Sequence, residues 1–252
     1  MITKRYHFEE LDSTNKKAKE LAAAGAGHGT LVTADAQHAG VGRRGRSWSS
    51  EKGAGIYMSM LLRPALGTEQ VSMLTLVAAL AAAKAFENFA VFPANTPCIK
   101  WPNDLVLRKK KVCGILTELT LDGTNIDYVI VGIGINVSNR FFPDEIKETA
   151  SSILLERGQE VDRESLIAEI WNIFEKYYDI FCKTKDFSVL KEEYERYLIN
   201  KEKEVNVLDP AGNYKGTAMG ITNKGELIVD TGAEYKYVSS GEVSVRGIYG
   251  YV

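Results

Sequence analysis

Cysteine is scarce. Cys98, Cys113 and Cys182 stand far apart in 252 residues. That spacing excludes a disulfide framework or a zinc site and leaves reduced thiols of a cytoplasmic protein as the expectation. No sign of charge dominates. The formal net charge is −2, so neither a basic face nor specific binding of duplex nucleic acid is expected. Long hydrophobic runs are missing too. The most apolar stretch, Met73 to Ala83, is too short to span a bilayer, and the N-terminal Met1-Ile-Thr-Lys-Arg-Tyr lacks the apolar centre of a signal peptide. There is no internal repeat, no low-complexity segment and no Walker A sequence, so any nucleotide must be held without a P-loop. What is left is an ordinary globular composition, 45% apolar and 25% charged, with room for one large domain and a small one.

One basic loop organises the rest: Gln37-His-Ala-Gly-Val-Gly-Arg-Arg-Gly-Arg-Ser-Trp48. Gly40, Gly42 and Gly45 let backbone approach a ligand closely. Arg43, Arg44 and Arg46 bring forked donors suited to phosphate and carboxylate, and Trp48 offers a flat face for a purine. A solvated turn is the plain alternative. Gly40 to Gly45 also spells G-x-G-x-x-G, but a dinucleotide fingerprint needs a helix next. Here Gly55 to Leu62 alternates as a strand, so the loop reads as a strand–loop–strand anion cradle. With several like charges and three glycines, it is expected to be mobile until an anion draws it shut.

Along the chain, Tyr6 to Leu11 is a strand candidate, and Asp12-Ser-Thr-Asn15 precedes a helix over Lys16–Ala24 that stops at Gly25. Ser13 or Thr14 either caps that helix or offers its hydroxyl to a polar ligand. Val71 to Phe89 reads as a buried helix. Ile99-Lys-Trp-Pro-Asn-Asp-Leu105 gathers polar groups around a structure-breaking proline. The basic turn Arg108 to Lys111 leads into a strand, Val112 to Leu119, that can carry Lys111 inward. Tyr128 to Val137 reads as a strand buried on both faces, with interior glycines that suggest close packing on its backbone. Asn136 there must find hydrogen bonds. Asp162 caps an amphipathic helix whose stripe is Leu166, Ile167, Ile170, Trp171, Phe174, Tyr178 and Phe181, and a second helix covers roughly Val189 to Leu198. From Glu202 onward, short strands separated by Asp209–Gly212, Asn223–Gly225 and Thr231–Ala233 predict a small barrel.

Ser13-Thr-Asn15, the Gln37–Trp48 loop, Lys100-Trp-Pro-Asn-Asp104, Lys111-Val-Cys-Gly-Ile-Leu116, Gly132-Ile-Gly-Ile-Asn136 and Ser240-Gly-Glu-Val-Ser-Val-Arg246 follow the order and spacing of biotin protein ligases. The chain resembles that family over nearly its whole length. The pattern starts at residue 6, so it is similar to the monofunctional class without an N-terminal DNA-binding domain. The resemblance implies an α+β fold: a mixed sheet flanked by helices, as in class II synthetases, over residues 1–200, and an SH3-like barrel over 201–252. It implies ATP and Mg²⁺ as cofactors and biotin as substrate. The acceptor would be a lysine of the biotin carboxyl carrier domain of acetyl-CoA or pyruvate carboxylase. A cytoplasmic homodimer is implied, with no nucleic-acid or membrane partner.

Carried over residue by residue, the resemblance makes Lys111 and Arg43 catalytic. It assigns biotin to Ser13, Thr14, Asn15, Gln37, Gly40, Val41, Gly42, Arg43, Lys111 and Gly114. It assigns ATP to Arg44, Arg46, Trp48, Lys100, Asn103, Asp104, Asn136 and Arg246, with Trp48 stacked on adenine and Asp104 the candidate Mg²⁺ ligand. The chain departs from the family at Val41, where relatives often carry arginine. Lipoate–protein ligase and a non-catalytic biotin sensor are the alternatives.

Overall fold

A computed structural model describes residues 2–90, 97–240, 244–247 and 251–252. In chain order the elements are β1 (Lys4–Leu11), α1 (Thr14–Ala23), β2 (Thr30–Gln37), β3 (Gly55–Leu62), α2 (Thr68–Val71), α3 (Met73–Ala90), β4 (Cys98–Lys100), β5 (Asp104–Leu107), β6 (Lys110–Asp122) and β7 (Asn125–Asn136). Then follow α4 (Ile153–Arg157), α5 (Arg163–Thr184), α6 (Lys191–Tyr197), β8 (Lys203–Leu208), β9 (Tyr214–Ile221), β10 (Leu227–Asp230), β11 (Tyr235–Val238) and β12 (Ser244–Gly247).

Among the described residues, seven strands form a mixed sheet in the order β1-β2-β3-β7-β6-β5-β4. Only β1 and β2 run parallel, joined through α1 as a parallel pair requires. Period-two alternation decides what each face meets. On β7, Val131, Ile133 and Ile135 enter the large core; Gly132, Gly134 and Asn136 point the other way. On β3, Met58 and Met60 face the same core, while Leu61 joins Ala18, Ala22, Val32, Tyr128 and Ile130 beneath α1. Both faces of the central strands are covered, which is why they read as nearly continuous apolar runs.

The large core lies under α3 and α5. Asp162 caps α5, its Oδ2 accepting from Ser165 N at 2.8 Å, and every residue of the apolar stripe is buried. One expectation changes here. The helical stretch Thr68–Asn88 is, by length and composition alone, long and apolar enough to cross a membrane. Yet 78% of that window is buried inside the protein, so it serves as a core helix.

The last five strands form an antiparallel sheet in the order β11-β10-β9-β8-β12, which fits an SH3-like unit. The three turn-rich segments read from the sequence fall between β8 and β9, β9 and β10, and β10 and β11. This sheet shares the large core through Val205, Val207, Ile221, Leu227 and Val229. Trp101 Nε1 donates to Gly225 O across the junction at 3.0 Å. Of the Ser240–Arg246 motif, residues 241–243 lie outside the described residues.

Candidate active site

A narrow slot and a wide cavity meet above the slot face of the main sheet. The slot, about 50 Å³, is lined by Ser13, Thr14, Gln37, Trp48, Lys111 and the glycines of β6 and β7, among others. Its floor is made by register: Gly114 pairs with Gly134, and Ser59 with Gly132. A Cβ at Gly134 would fall 2.6 Å from Trp48 Cε2, and one at Gly114 would fall 2.8 Å from Trp48 Cζ3. The indole therefore lies directly on bare backbone. Its Nε1 is buried without a hydrogen-bond partner, a donor awaiting an acceptor.

The polar end of the slot comes from the start of α1. Ser13 stands at the N-cap with no side-chain capping bond, so its hydroxyl is left for other work. Thr14 donates to Gln37 Oε1 from its backbone N at 2.8 Å and from its hydroxyl at 3.1 Å. Gln37 Nε2 donates to Ser50 Oγ at 3.0 Å. Ser59, unread in the sequence, lies 2.7 Å from Thr14 Oγ1 and 2.6 Å from Asn15 Oδ1. Asn15 lines the slot as well. With Oδ1 on Ser59 and Nδ2 donating to Glu118 at 2.7 Å, its polar atoms are engaged, and it shapes the slot wall against Gly132.

Lys111 reaches this face through a bulge. Leu105 pairs with Cys113 but Val106 pairs with Lys111, so Val112 is an extra residue. Val112 and Cys113 both enter the large core, and the shift turns Lys111 to the side of Gly114. Its backbone is pinned by Thr149 O at 2.7 Å and by Ser151 N at 2.9 Å. Its Nζ stands 2.7 Å from Asp104 Oδ1 and 5.3 Å from the Trp48 ring centroid.

The wide cavity, about 710 Å³, holds the cations. Arg43, Arg44, Arg46, Lys100, Lys111 and Arg246 all line it, with Asn103, Asp104 and Asn136. Burial pushes the Lys100 ammonium down to about 8; Lys111, Arg246 and Arg46 add to that, and Asp104 opposes it. Burial works to raise the Asp104 carboxyl, but Lys111, the Tyr251 hydroxyl and Lys100 more than reverse it, so it sits below the ordinary carboxylate value. Asn136 commits Nδ2 to Ser151 O at 3.0 Å while remaining on the cavity wall.

The basic loop borders both chambers. It closes on itself, Gly42 N donating to Arg46 O at 2.7 Å and Trp48 N to Gly40 O at 2.8 Å, with a left-handed Arg44 (φ 59°) and Gly45 (φ 71°) at the turn. Arg43 donates to Asn103 Oδ1 at 2.9 Å and to the Ser240 carbonyl, tying the loop to the chain just before β12. Gly40 sits beside the two chambers, where a Cβ would meet Trp48 O at 2.8 Å. Trp48 borders both chambers. Phe141, Phe142, Glu145, Ile146, Thr149 and Ala150, absent from the sequence reading, also line the wide cavity. The adjacent Phe pair in a polar loop, Phe141 being 86% exposed, is the one sequence signal that points to them.

Asp104, the candidate Mg²⁺ ligand, lines the wide cavity. One oxygen faces Lys111 and the other accepts from Tyr251. Among the described residues no three His, Cys, Asp or Glu side chains converge as metal ligands, so an Mg²⁺ here would draw most of its ligands from phosphate oxygens and water.

Gly134→Ala is expected to lift Trp48 off the floor and weaken binding of the slot's ligand by about tenfold, leaving the fold intact. Titration calorimetry beside a thermal melt checks this; unchanged affinity would mean the indole does not define the slot.

Residues 7–136 match the biotin/lipoate A/B protein ligase family, and residues 202–246 match the biotin protein ligase C-terminal domain. The bifunctional ligase/repressor BirA of Bacillus subtilis (strain 168) is 38% identical over 242 residues, 95% of this chain and 73% of that protein. The biotin–[acetyl-CoA-carboxylase] ligase of Paracoccus denitrificans is 32% identical over 241 residues, 94% of this chain and 98% of that one. The solved structure of the biotin protein ligase from Aquifex aeolicus in complex with biotin and ATP matches with a TM-score of 0.85 at 33% identity, over 97% of this chain and 99% of that one.

Proposed function

The chain belongs to the biotin/lipoate A/B protein ligase family, and from that premise we propose that it is an ATP-dependent biotin protein ligase. It activates biotin as biotinyl-5′-AMP and passes the biotinyl group to a lysine of a biotin carboxyl carrier domain. The observation that carries this reading is the placement of Lys111, which lines both the polar slot and the cationic cavity.

Biotin's ureido ring needs donors and acceptors together, and Ser13, Thr14 and Gln37 supply them at the closed end of the slot. A slot of about 50 Å³ is far smaller than ordinary ligand pockets, so Trp48 and its loop rise to admit biotin and settle again over its chain. ATP fits the wide cavity, its phosphates among Arg44, Arg46, Lys100 and Arg246. The biotin carboxylate then attacks the α-phosphorus. The new C–O–P bond forms as the bond to the leaving pyrophosphate breaks. Two anions meet in that step, a repulsion of about 4 kcal/mol at 4 Å and an effective dielectric of 20. Lys111 and Arg43 offset it from fixed positions. The carrier lysine's amine next attacks the acyl carbon, expelling AMP. When bound, Mg²⁺ would neutralise phosphate charge, and Asp104 is the carboxylate of the cavity that would hold it. We read residues 1–200 as the catalytic unit and 201–252 as the SH3-like one, in a cytoplasmic enzyme that draws on ATP.

Lys100 gives a pH test. ATP favours its charged form, so affinity is expected to fall as pH rises through about 8. The fold alone behaves oppositely. The depressed pKa means that burying the charged lysine costs stability below about 8, and this cost is relieved as pH rises toward the ordinary 10.5. Thermal melts with and without a non-hydrolysable ATP analogue, set against Lys100→Met, should separate the two trends. Parallel trends in the two proteins would count against Lys100 as a phosphate ligand.

The function is tested by mass spectrometry of a carrier domain incubated with the protein, ATP, Mg²⁺ and either biotin or lipoate. A biotinyl mass gain on one lysine is expected. A lipoyl gain alone would select lipoate ligation, and none with either acid would reject ligase activity.

A further inference from the structure

Tyr251 takes no part in the residue assignments above, yet it lines the wide cavity. Val252 packs on Gly247 so closely that a Cβ at Gly247 would fall 2.1 Å from the Val252 carbonyl carbon. Beside that contact, the Tyr251 hydroxyl donates to Asp104 Oδ2. Lys100 Nζ stands 3.7 Å from the Tyr251 ring centroid, close enough for a cation–π contact. The other Asp104 oxygen lies 2.7 Å from Lys111 Nζ.

These contacts give Asp104 two partners of different kinds. A carboxylate held only by a lysine ammonium can rotate, and the ammonium, on four flexible carbons, follows it. A phenol on the second oxygen removes that rotation. It adds no charge to a cavity already rich in cations, so it fixes the pair without competing for the substrate's anions. The ring does a second job by holding Lys100 against the wall where phosphates are expected.

We infer that Tyr251 is a positioning residue for adenylation: its hydroxyl fixes Asp104 and through it the aim of Lys111, and its ring places Lys100. This rests on the adenylating reading of the site. It extends that reading to a residue beyond the last strand, outside every motif that carries the family resemblance.

The test is biotin-dependent exchange of labelled pyrophosphate into ATP, measured for wild type, Tyr251→Phe and Tyr251→Ala. The Phe variant keeps the ring and loses the hydroxyl. Its kcat is expected to drop by about tenfold, the loss of a hydrogen bond to a charged group, with KM for ATP within about twofold of wild type. The Ala variant is expected to show that kcat loss and also a KM for ATP raised by about tenfold, since the support under Lys100 is gone. Because Tyr251→Ala can also fail to fold, the nearly isosteric Phe variant decides the matter, with its thermal midpoint recorded. A Phe variant with wild-type kcat would overturn the inference, as would one whose kcat and KM worsen together with a lowered melt, the mark of a merely structural tyrosine. Absence of exchange in the wild type is a different failure: it would reject adenylation itself before any substitution at Tyr251 is considered.

Discussion

Replacing Lys111 with alanine is expected to cut biotin-dependent pyrophosphate release by roughly 10²–10³-fold, the usual loss when a fixed donor to developing charge is removed. Two neighbouring cations have partners of their own. Arg43 is committed to Asn103 and the Ser240 carbonyl, and Lys100 lies over the Tyr251 ring. Stability is affected as well. Lys111 lies on β6, paired with an Asp104 whose side chain is only 13% exposed, so the variant leaves a largely buried carboxylate without its closest cation. A melt lowered by a few degrees should accompany the lost activity, at roughly 2–4 °C per kcal/mol for a chain of this size. Stopped-flow pyrophosphate detection and calorimetry read the two effects separately. Release within tenfold of wild type would remove Lys111 from the chemistry.

Arg43→Gly is expected to separate formation of the adenylate from its retention. The substitution deletes the two side-chain bonds that Arg43 makes from the basic loop, to Asn103 and to Ser240, and adds a more flexible residue. It leaves Lys111 and Asp104 in place. Biotinyl-adenylate should still form, then escape about 10–100-fold faster, the equivalent of one lost charge-assisted hydrogen bond. Escaped adenylate acylates exposed lysines, so labelling of an unrelated bystander protein reports it. Val41 sharpens the test, since the loop lacks an arginine that relatives often carry there and its side chain is 53% exposed. Adenylate that forms but labels bystanders no more than wild type does would show that the loop is not the lid.

Both expectations depend on features of unequal visibility in the sequence. β3, β7 and the α5 stripe were legible because burial repeats with a period, and period is what a sequence displays. β3 runs Gly55–Leu62 as read, and β7 ends at Asn136. The glycine floor was half legible. Gly132 and Gly134 marked close packing, but only strand register shows that Gly114 lies opposite Gly134 and that Trp48 rests on both. The side Lys111 faces could not be read at all. Simple alternation puts Lys111 with Cys113, and the extra residue at Val112 reverses it. Asn15 and Gly40 show what a motif match leaves out: Asn15 is held by Ser59 and Glu118, and Gly40 lets the backbone of Trp48 approach. Phe141, Ile146 and Tyr251 carry no periodic signal, because they join the site through loops and the end of the chain, where three-dimensional proximity leaves no pattern in the sequence.

The central claim is that a carboxylate in the slot meets the α-phosphorus of a nucleotide in the cavity at Lys111. Rapid quench of the protein with biotin and ATP, with no acceptor present, tests it most directly. A burst of biotinyl-5′-AMP and pyrophosphate, stoichiometric with protein and followed by slow turnover, is the predicted result. ADP and inorganic phosphate as products, or a nucleotide cleaved without biotin, would contradict it.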